Sequence, residues 1–247
     1  MATETKHLAR PAIHAVHPWV PGSPERRPRH QLLSDDERAQ LAKIASILRF
    51  KKDEQIFVQG DKADAVFNIV SGVVTVYRTL KNGDYIISFL HPGDLLGLSE
   101  EGHYLNTAKA ATSVTVYKIP LPAFRRILDT NAELDVDFII KLCEDLREAQ
   151  HHALVLAQKK AATRLAMFLE LQEHLQLTDS GKAASEIYLP MDRSSIASYL
   201  ALTPAALSRA FRMLVSRQVI SCRDRHHVKI LDREAFNRLA DAPSLGG

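Results

Sequence analysis

The chain has 247 residues, 46% hydrophobic and 25% charged, with 32 Lys and Arg against 29 Asp and Glu for a net charge of +3. That composition suits one or two globular domains with real cores, and it excludes disordered, collagen-like and disulfide-stapled mini-protein classes. Two cysteines, Cys143 and Cys222, exclude a four-thiolate zinc site or a cysteine-ligated iron–sulfur cluster within one chain. The sequence has neither a leader-type apolar core near its start nor a run of about 18 apolar residues. The expectation is a cytoplasmic protein with reduced thiols and no membrane partner.

Residues 1–31 carry Pro11, Pro18, Pro21, Pro24 and Pro28 among basic neighbours and read as an extended arm. Ser34 as an N-cap, acidic Asp35, Asp36 and Glu37, and then Leu41, Ile44, Ile47 and Leu48 at helical spacing predict a helix over 34–48. Between Arg49 and Leu121 the period drops to two. Apolar β-branched and aromatic runs at 55–58, 65–70, 73–77, 85–90 and 114–119 predict short strands. Gly60-Asp61, Ser71-Gly72, Asn82-Gly83 and Pro92-Gly93-Asp94 supply the turns, with Asn82-Gly83 the strongest hairpin signal. Many short strands at even spacing indicate an antiparallel barrel or sandwich, assigned as a sensor domain over 32–130.

Between Pro122 and about Gln176 no glycine or proline interrupts the chain. Ile139, Leu142, Leu146, Ala149, Ala153 and Leu156 recur at alternating spacings of three and four, the seam of a two-stranded coiled coil. A dimerisation helix is therefore expected over 131–158; the alternative is a helix packed on its own barrel. A second helix follows at 161–175, after a turn near Gln158-Lys159-Lys160.

The region 159–238 reads as a DNA-binding domain, followed by a tail at 239–247. Asp192 to Leu200 places Ile196, Ala197 and Leu200 on one face; Ala201-Leu202-Thr203 breaks the helix; Thr203 as N-cap with Pro204 at the first helical position starts another. Leu207, Phe211 and Leu214 suit the core, leaving Ala206, Ser208, Arg209 and Arg212 to project outward. Val219 to Cys222 and Val228 to Leu231 form a hairpin across Arg223-Asp224-Arg225. A helix-turn-helix with a trailing hairpin is a winged unit whose second helix enters the major groove. Residues 191–238 hold nine basic and four acidic side chains, a surplus of five. The candidate DNA contacts are Arg193, Thr203, Ala205, Ala206, Ser208, Arg209, Arg212, Arg223 and Arg225, with Arg209 suited to guanine O6 and N7. The alternative is a solvated basic helix. Cys222, near Arg223 and Arg225, is a redox candidate because cations lower a thiol's pKa; the alternative is an inert strand cysteine. His226 and His227 add phosphate contacts that pH can tune.

The order of barrel, long helix and winged helix-turn-helix resembles the cyclic-AMP receptor protein/FNR superfamily of bacterial transcription regulators. The resemblance spans about residues 32–240. It rests on Gly60-Asp61, the Ile69 to Val74 turn, Pro92-Gly93-Asp94-Leu95-Leu96-Gly97, Ala161 to Leu169 and Met191 to Thr203. It implies an α+β fold: a cyclic-nucleotide-binding-type jelly roll, a dimerisation helix and a C-terminal winged helix-turn-helix. It further implies a homodimer on palindromic double-stranded DNA, with RNA polymerase as a partner if the protein activates.

Details lean to the FNR and FixK side, and the departures shape the expectation. A cyclic-AMP binder of this superfamily resembles Gly-Glu-Leu-Gly followed by an Arg-Ser-Ala-like element; here Asp94-Leu95-Leu96-Gly97 is followed by Asn106-Thr107-Ala108, with no arginine between Arg78 and Arg125. Leu95, Leu96, Asn106 and Thr107 are the candidate effector pocket. A buried phosphate without a cation is costly, and Lys109 should face away, so cyclic AMP is disfavoured. The arm has no cysteines for an iron–sulfur cluster. His91 and His103 are the candidate ligands if haem is sensed. The FNR-type recognition pattern Glu-x-x-Ser-Arg appears as Ala205-Ala206-Leu207-Ser208-Arg209, so the guanine contact carries over to Arg209 while Ala205 cannot accept from cytosine. No nucleophile triad, phosphate-cradling loop or metal motif points to an enzyme. The reading is a regulator independent of cyclic AMP, with no cofactor. The alternative is a cyclic-nucleotide-dependent or haem/NO-dependent regulator of the same architecture.

Overall fold

The computed structural model describes Ala39 and residues 42–99, 101–130, 132–176 and 185–240. The proline-rich arm, the start of the 34–48 segment and residues 241–247 of the tail lie outside them. Eight strands come first: β1 (Ser46–Phe50), β2 (Gln55–Phe57), β3 (Ala65–Ser71), β4 (Val74–Leu80), β5 (Gly83–Leu90), β6 (Leu95–Leu96), β7 (Thr107–Ala110) and β8 (Val114–Pro120). They form two antiparallel four-stranded sheets, ordered β1-β8-β3-β6 and β2-β7-β4-β5. Phe67, Ile69, Val114 and Val116 of one sheet pack with Val74, Val76, Ala108 and Ala110 of the other in a shared core. The expected jelly roll is present as two sheets over one core, not as a closed barrel.

Two local expectations are corrected. The helix predicted over 34–48 does not reach its end: Ala39 and Ala42 are helical, but Ser46–Phe50 is β1, paired with β8 from Ser46↔Lys118 to Phe50↔Val114. Ile44 and Ile47 stay exposed, so their helical spacing marks no buried stripe, whereas Leu48 and Phe50 alternate onto the core. The hairpin signalled by Asn82-Gly83 exists, but Gly83 pairs with Leu80 and the two-residue loop is Lys81-Asn82. Gly83 takes φ +127, so the glycine's freedom serves the first strand position after the loop.

Three helices follow: α1 (Leu121–Thr130), α2 (Ala132–Ala157) and α3 (Ala161–Leu175). Phe124 of α1 meets Phe138 of α2 edge-on, with ring centroids 5.8 Å apart. The turn at Gln158 to Lys160 falls where the sequence placed it. All six seam residues, Ile139, Leu142, Leu146, Ala149, Ala153 and Leu156, are exposed on α2, with Ala149 also bordering a cavity beside the jelly roll. The opposite face is anchored by charge. Lys141 is 1% exposed and its Nζ lies 2.7 Å from Asp94 Oδ1 and 2.8 Å from Asp145 Oδ1. Asp94, in the Pro92-Gly93-Asp94 turn, also accepts from the His91 amide at 2.7 Å. A buried pair of this kind is costly to break from one side, so it fixes α2 against the jelly roll.

The C-terminal domain comprises β9 (Ile187–Tyr188), α4 (Arg193–Tyr199), α5 (Pro204–Ser216), β10 (Ile220–Cys222), β11 (His227–Ile230) and α6 (Arg233–Ala240). The expected hairpin is widened by β9 into a three-stranded sheet, β10-β11-β9. α6 is tied to α3 by a bidentate pair: Arg233 Nη1 and Nη2 lie 2.8 and 2.6 Å from the two oxygens of buried Glu173.

Candidate DNA-binding surface

α4 and α5 meet through a turn that the sequence specifies locally. Thr203 Oγ1 accepts from the Ala206 amide at 3.1 Å, and Pro204 opens α5 where no amide is needed. Ala201 takes φ +49, a left-handed conformation unusual for an alanine. Arg164 of α3 secures this turn, donating from Nη1 to Leu200 O at 2.8 Å and Ala201 O at 3.2 Å and from Nε to Gln158 O at 2.8 Å. The sequence reading assigned Arg164 no part in the surface, although it stands in the Ala161 to Leu169 stretch that carried the resemblance.

Leu207, Ala210, Phe211 and Leu214 seat α5 in the core. Ala205, Ser208, Arg209 and Arg212 are exposed along its outer side, while Ala206 is only half exposed and its amide is spent on the Thr203 cap. Thr203 is exposed but acts through that cap. Arg193 is held inward: its Cζ lies 3.6 Å from the centroid of Phe211, under α5. With Cys222 and Arg225 it lines a cleft between α5 and the wing.

The wing tip is organised by Asp224. Its carboxylate accepts from the His226 amide at 2.7 Å, the His227 amide at 2.9 Å and His227 Nδ1 at 2.9 Å, which holds its pKa down at about 2. Arg223 and Arg225 are exposed there, with Arg223 Nη1 3.3 Å from Glu186. The expected activation of Cys222 is corrected. Burial pushes its thiol pKa up, and the cation beside it is Arg193, not Arg223 or Arg225; the nearby guanidinium offsets only part of the burial effect.

The effector-pocket residues separate. Leu95, Leu96 and Asn106 line a cavity of about 370 Å³ between the jelly roll, α2, α3 and α4. Thr107 is buried elsewhere, its hydroxyl accepting from the Gln59 amide at 3.0 Å. Lys109 is 3.4 Å from Asp53, away from the cavity. His91 and His103 do not line it either: His91 is buried in the Asp94 turn, and His103 is exposed, bridging to Lys62. Its histidine is His152, whose Nε2 is 2.8 Å from Tyr199 O and whose ring stacks on Tyr199 at 3.8 Å. Burial keeps that imidazole's pKa low. Phe89 of β5 packs on Tyr199 at 5.3 Å and on Phe168 at 6.3 Å. Tyr199, in the last turn of the first helix-turn-helix helix, thus touches the jelly roll, α2 and α3. No helix among the described residues is long and apolar enough to cross a membrane, and no group of three metal-ligating side chains occurs among them.

Residues 47–131 match the family model of the cyclic nucleotide-binding domain, and residues 163–239 that of the Crp-like helix-turn-helix domain. The nitrogen fixation regulation protein FixK of Bradyrhizobium diazoefficiens is 30% identical over 168 residues, 68% of this chain and 70% of that protein. FixK of Rhizobium meliloti is 29% identical over 196 residues, 79% of this chain and 87% of that protein. The structure of FixK2 from Bradyrhizobium japonicum superposes with a TM-score of 0.73 at 26% identity, covering 81% of this chain and all of that one.

Proposed function

This chain belongs to the CRP/FNR family and is a DNA-binding transcription regulator, and on that premise we propose that it is a cytoplasmic homodimer that reads a two-fold palindrome without cyclic AMP. The observation that carries the reading is the row of Ala205, Ser208, Arg209 and Arg212 on the exposed side of α5, on a domain whose net charge exceeds that of the whole chain. α5 lies in the major groove with Arg209 on guanine O6 and N7, Ser208 and Arg212 reach base edge and backbone, and Arg223 and Arg225 lie along the phosphates. Thr203 and Ala206 fix the helix start, and Arg193 supports the helix from beneath. The exposed α2 seam pairs two chains, which sets the two recognition helices one DNA turn apart. RNA polymerase is the further partner in activation.

Independence from cyclic AMP follows from charge. The cavity has Asp145 and Glu148 in its wall and no arginine or lysine among its described lining residues, which leaves a cyclic phosphate without a cation from them. No cofactor is assigned, since neither proposed haem histidine reaches the cavity. The test is selection from a random duplex pool by the purified reduced protein, with and without cyclic AMP. The same palindrome in both arms is expected; a site recovered only with the nucleotide overturns the proposal.

A further inference from the structure

Residues 51–54 form the turn between β1 and β2, and its shape is fixed by its own hydrogen bonds. The Lys51 amide donates to Glu54 Oε2 at 2.7 Å, the Glu54 amide donates back to Lys51 O at 3.1 Å, and the Asp53 amide donates to Ala110 O of β7 at 2.8 Å. Asp53 takes φ +71, a left-handed conformation that aspartate tolerates better than most residues, and its carboxylate lies 3.4 Å from Lys109. Both acidic side chains of the turn are thereby engaged within the jelly roll. Lys52, between them and Lys51, reaches out of it: its Nζ lies 3.2 Å from Asp192 Oδ1 in the DNA-binding domain.

Asp192 is the informative partner. It is the N-cap of α4, yet its carboxylate makes no cap hydrogen bond to that helix. An N-cap aspartate ordinarily accepts from an amide of the first turn; this one meets a lysine of the other domain instead. Two further contacts keep α4 on the jelly roll: the Ile86 amide of β5 donates to Ser198 Oγ at 3.4 Å, and Phe89 packs on Tyr199. The sensor domain thus holds an ammonium at the start of the helix-turn-helix. Lys52 and Asp192 are each about half exposed, and an ion pair that open contributes little to stability. Its position matters more. In a helix-turn-helix the first helix crosses the DNA backbone while the second enters the groove. A bare carboxylate at the start of α4 would meet the phosphates with like charge. An ammonium has three donors, of which Asp192 takes one, so the others are open to an anion. Arg49 and Lys51 are exposed beside it.

We propose that the DNA-binding surface extends onto the jelly roll at Lys52, whose ammonium, while paired with Asp192, contacts a backbone phosphate where α4 crosses the strand, once in each half-site. The sensor domain then adds to the affinity for any duplex and nothing to the choice of bases, because a phosphate carries no sequence information. The contact requires α4 docked on β5 as it is here, so it ties DNA affinity to the pose of the two domains. It rests on the reading above that α4 and α5 face DNA.

The test is fluorescence anisotropy of the full-length reduced protein on its selected palindrome and on a random-sequence duplex of the same length, from about 50 to 200 mM salt. Each phosphate contact adds ~0.9 to the slope of log affinity against log salt, so Lys52→Gln, which removes two contacts per dimer, should flatten the slope by ~1.8 on both duplexes. Over that fourfold range of salt the parent should lose about tenfold more affinity than the variant. Lys52→Arg should keep the parent slope. Asp192→Asn should bind tighter, since it removes a negative charge beside the phosphate and frees Lys52. Lys62→Gln makes the same charge change beside His103 and is the control, and circular dichroism melting checks that every variant folds. Three results overturn the proposal: an unchanged slope in Lys52→Gln, an equal flattening in Lys62→Gln, or binding weakened as much by Asp192→Asn as by Lys52→Gln, which would make the pair only a tie between domains. No preference of the parent for the palindrome, with the Lys52→Gln flattening present on the random duplex, would count against the α5 reading and leave the Lys52 contact standing.

Discussion

Truncating the α2 seam should separate dimerisation from folding. Leu146 and Ile139 are each 58% exposed in the single chain, so neither supports the chain's own core. Fully burying such a side chain is worth ~1.5–3 kcal/mol, so covering the exposed share is worth ~1–2 kcal/mol per copy. Two copies meet in a symmetric pair, and Leu146→Ala should cost the dimer ~2–3.5 kcal/mol, or ~30–300-fold in its dissociation constant. Sedimentation equilibrium reads this directly, with thermal melting at high protein concentration as the control for folding. DNA affinity at low concentration should fall in parallel, because a monomer holds one half-site. A variant that dimerises as tightly as the parent would refute the seam, and one that unfolds would show that Leu146 serves the chain's own core after all.

Arg209→Ala should weaken binding to the selected site by ~1–3 kcal/mol per half-site and flatten the preference at one symmetric base-pair position, as read by competition with single-base variants of the site. Ala205→Glu should shift selected sites toward cytosine at the position facing residue 205; unchanged sites would contradict that placement. Stability should fall in acid through His151, whose pKa burial lowers to about 4. Its folded pKa lies below the unfolded value near 6.5, so the unfolded chain binds the proton first; the stabilisation is complete above pH 6.5 and lost as pH falls toward 4, worth ~3 kcal/mol. His151→Gln should flatten that part of the pH–stability curve measured by urea denaturation. Ala201→Gly relieves the left-handed strain of ~1–2 kcal/mol against a glycine entropy cost of ~0.5–1 kcal/mol, so a small gain in melting temperature is expected. Because burial raises the Cys222 thiol, brief peroxide treatment at neutral pH should leave DNA binding of the parent and of Cys222→Ser equally intact; loss in the parent alone would restore a redox role.

The start of α5 and its exposed side were largely legible because their signals are local. Thr203-Pro204 marks a helix start by cap chemistry alone, and the spacing of Leu207, Phe211 and Leu214 fixes which side of α5 is buried. The exposed apolar row on α2 was legible for the same reason, since a 3.5-residue apolar repeat needs no knowledge of neighbours. What escaped depends on partners distant in sequence. Ser46–Phe50 carries a misleading helical spacing, and only pairing with β8, some 70 residues on, makes it a strand. Lys141 reads as a solvated helix lysine until Asp94 closes over it. Arg193 looked like one more phosphate contact until Phe211 took its guanidinium face, and Cys222 was judged by its sequence neighbours although burial and Arg193 govern its proton. The pocket divided along β7: Asn106, just before the strand, lines the cavity, while Thr107 turns to Gln59, the one-residue alternation that a short strand hides.

The most direct measurement is a hydroxyl-radical footprint of the full-length protein on the duplex it selects. Protection on both strands at two symmetric patches in successive major grooves, centred about 34 Å apart, is the predicted result. A single protected half-site, or an unbroken footprint without two-fold symmetry, would contradict the account of two chains joined by α2 and reading DNA through α5.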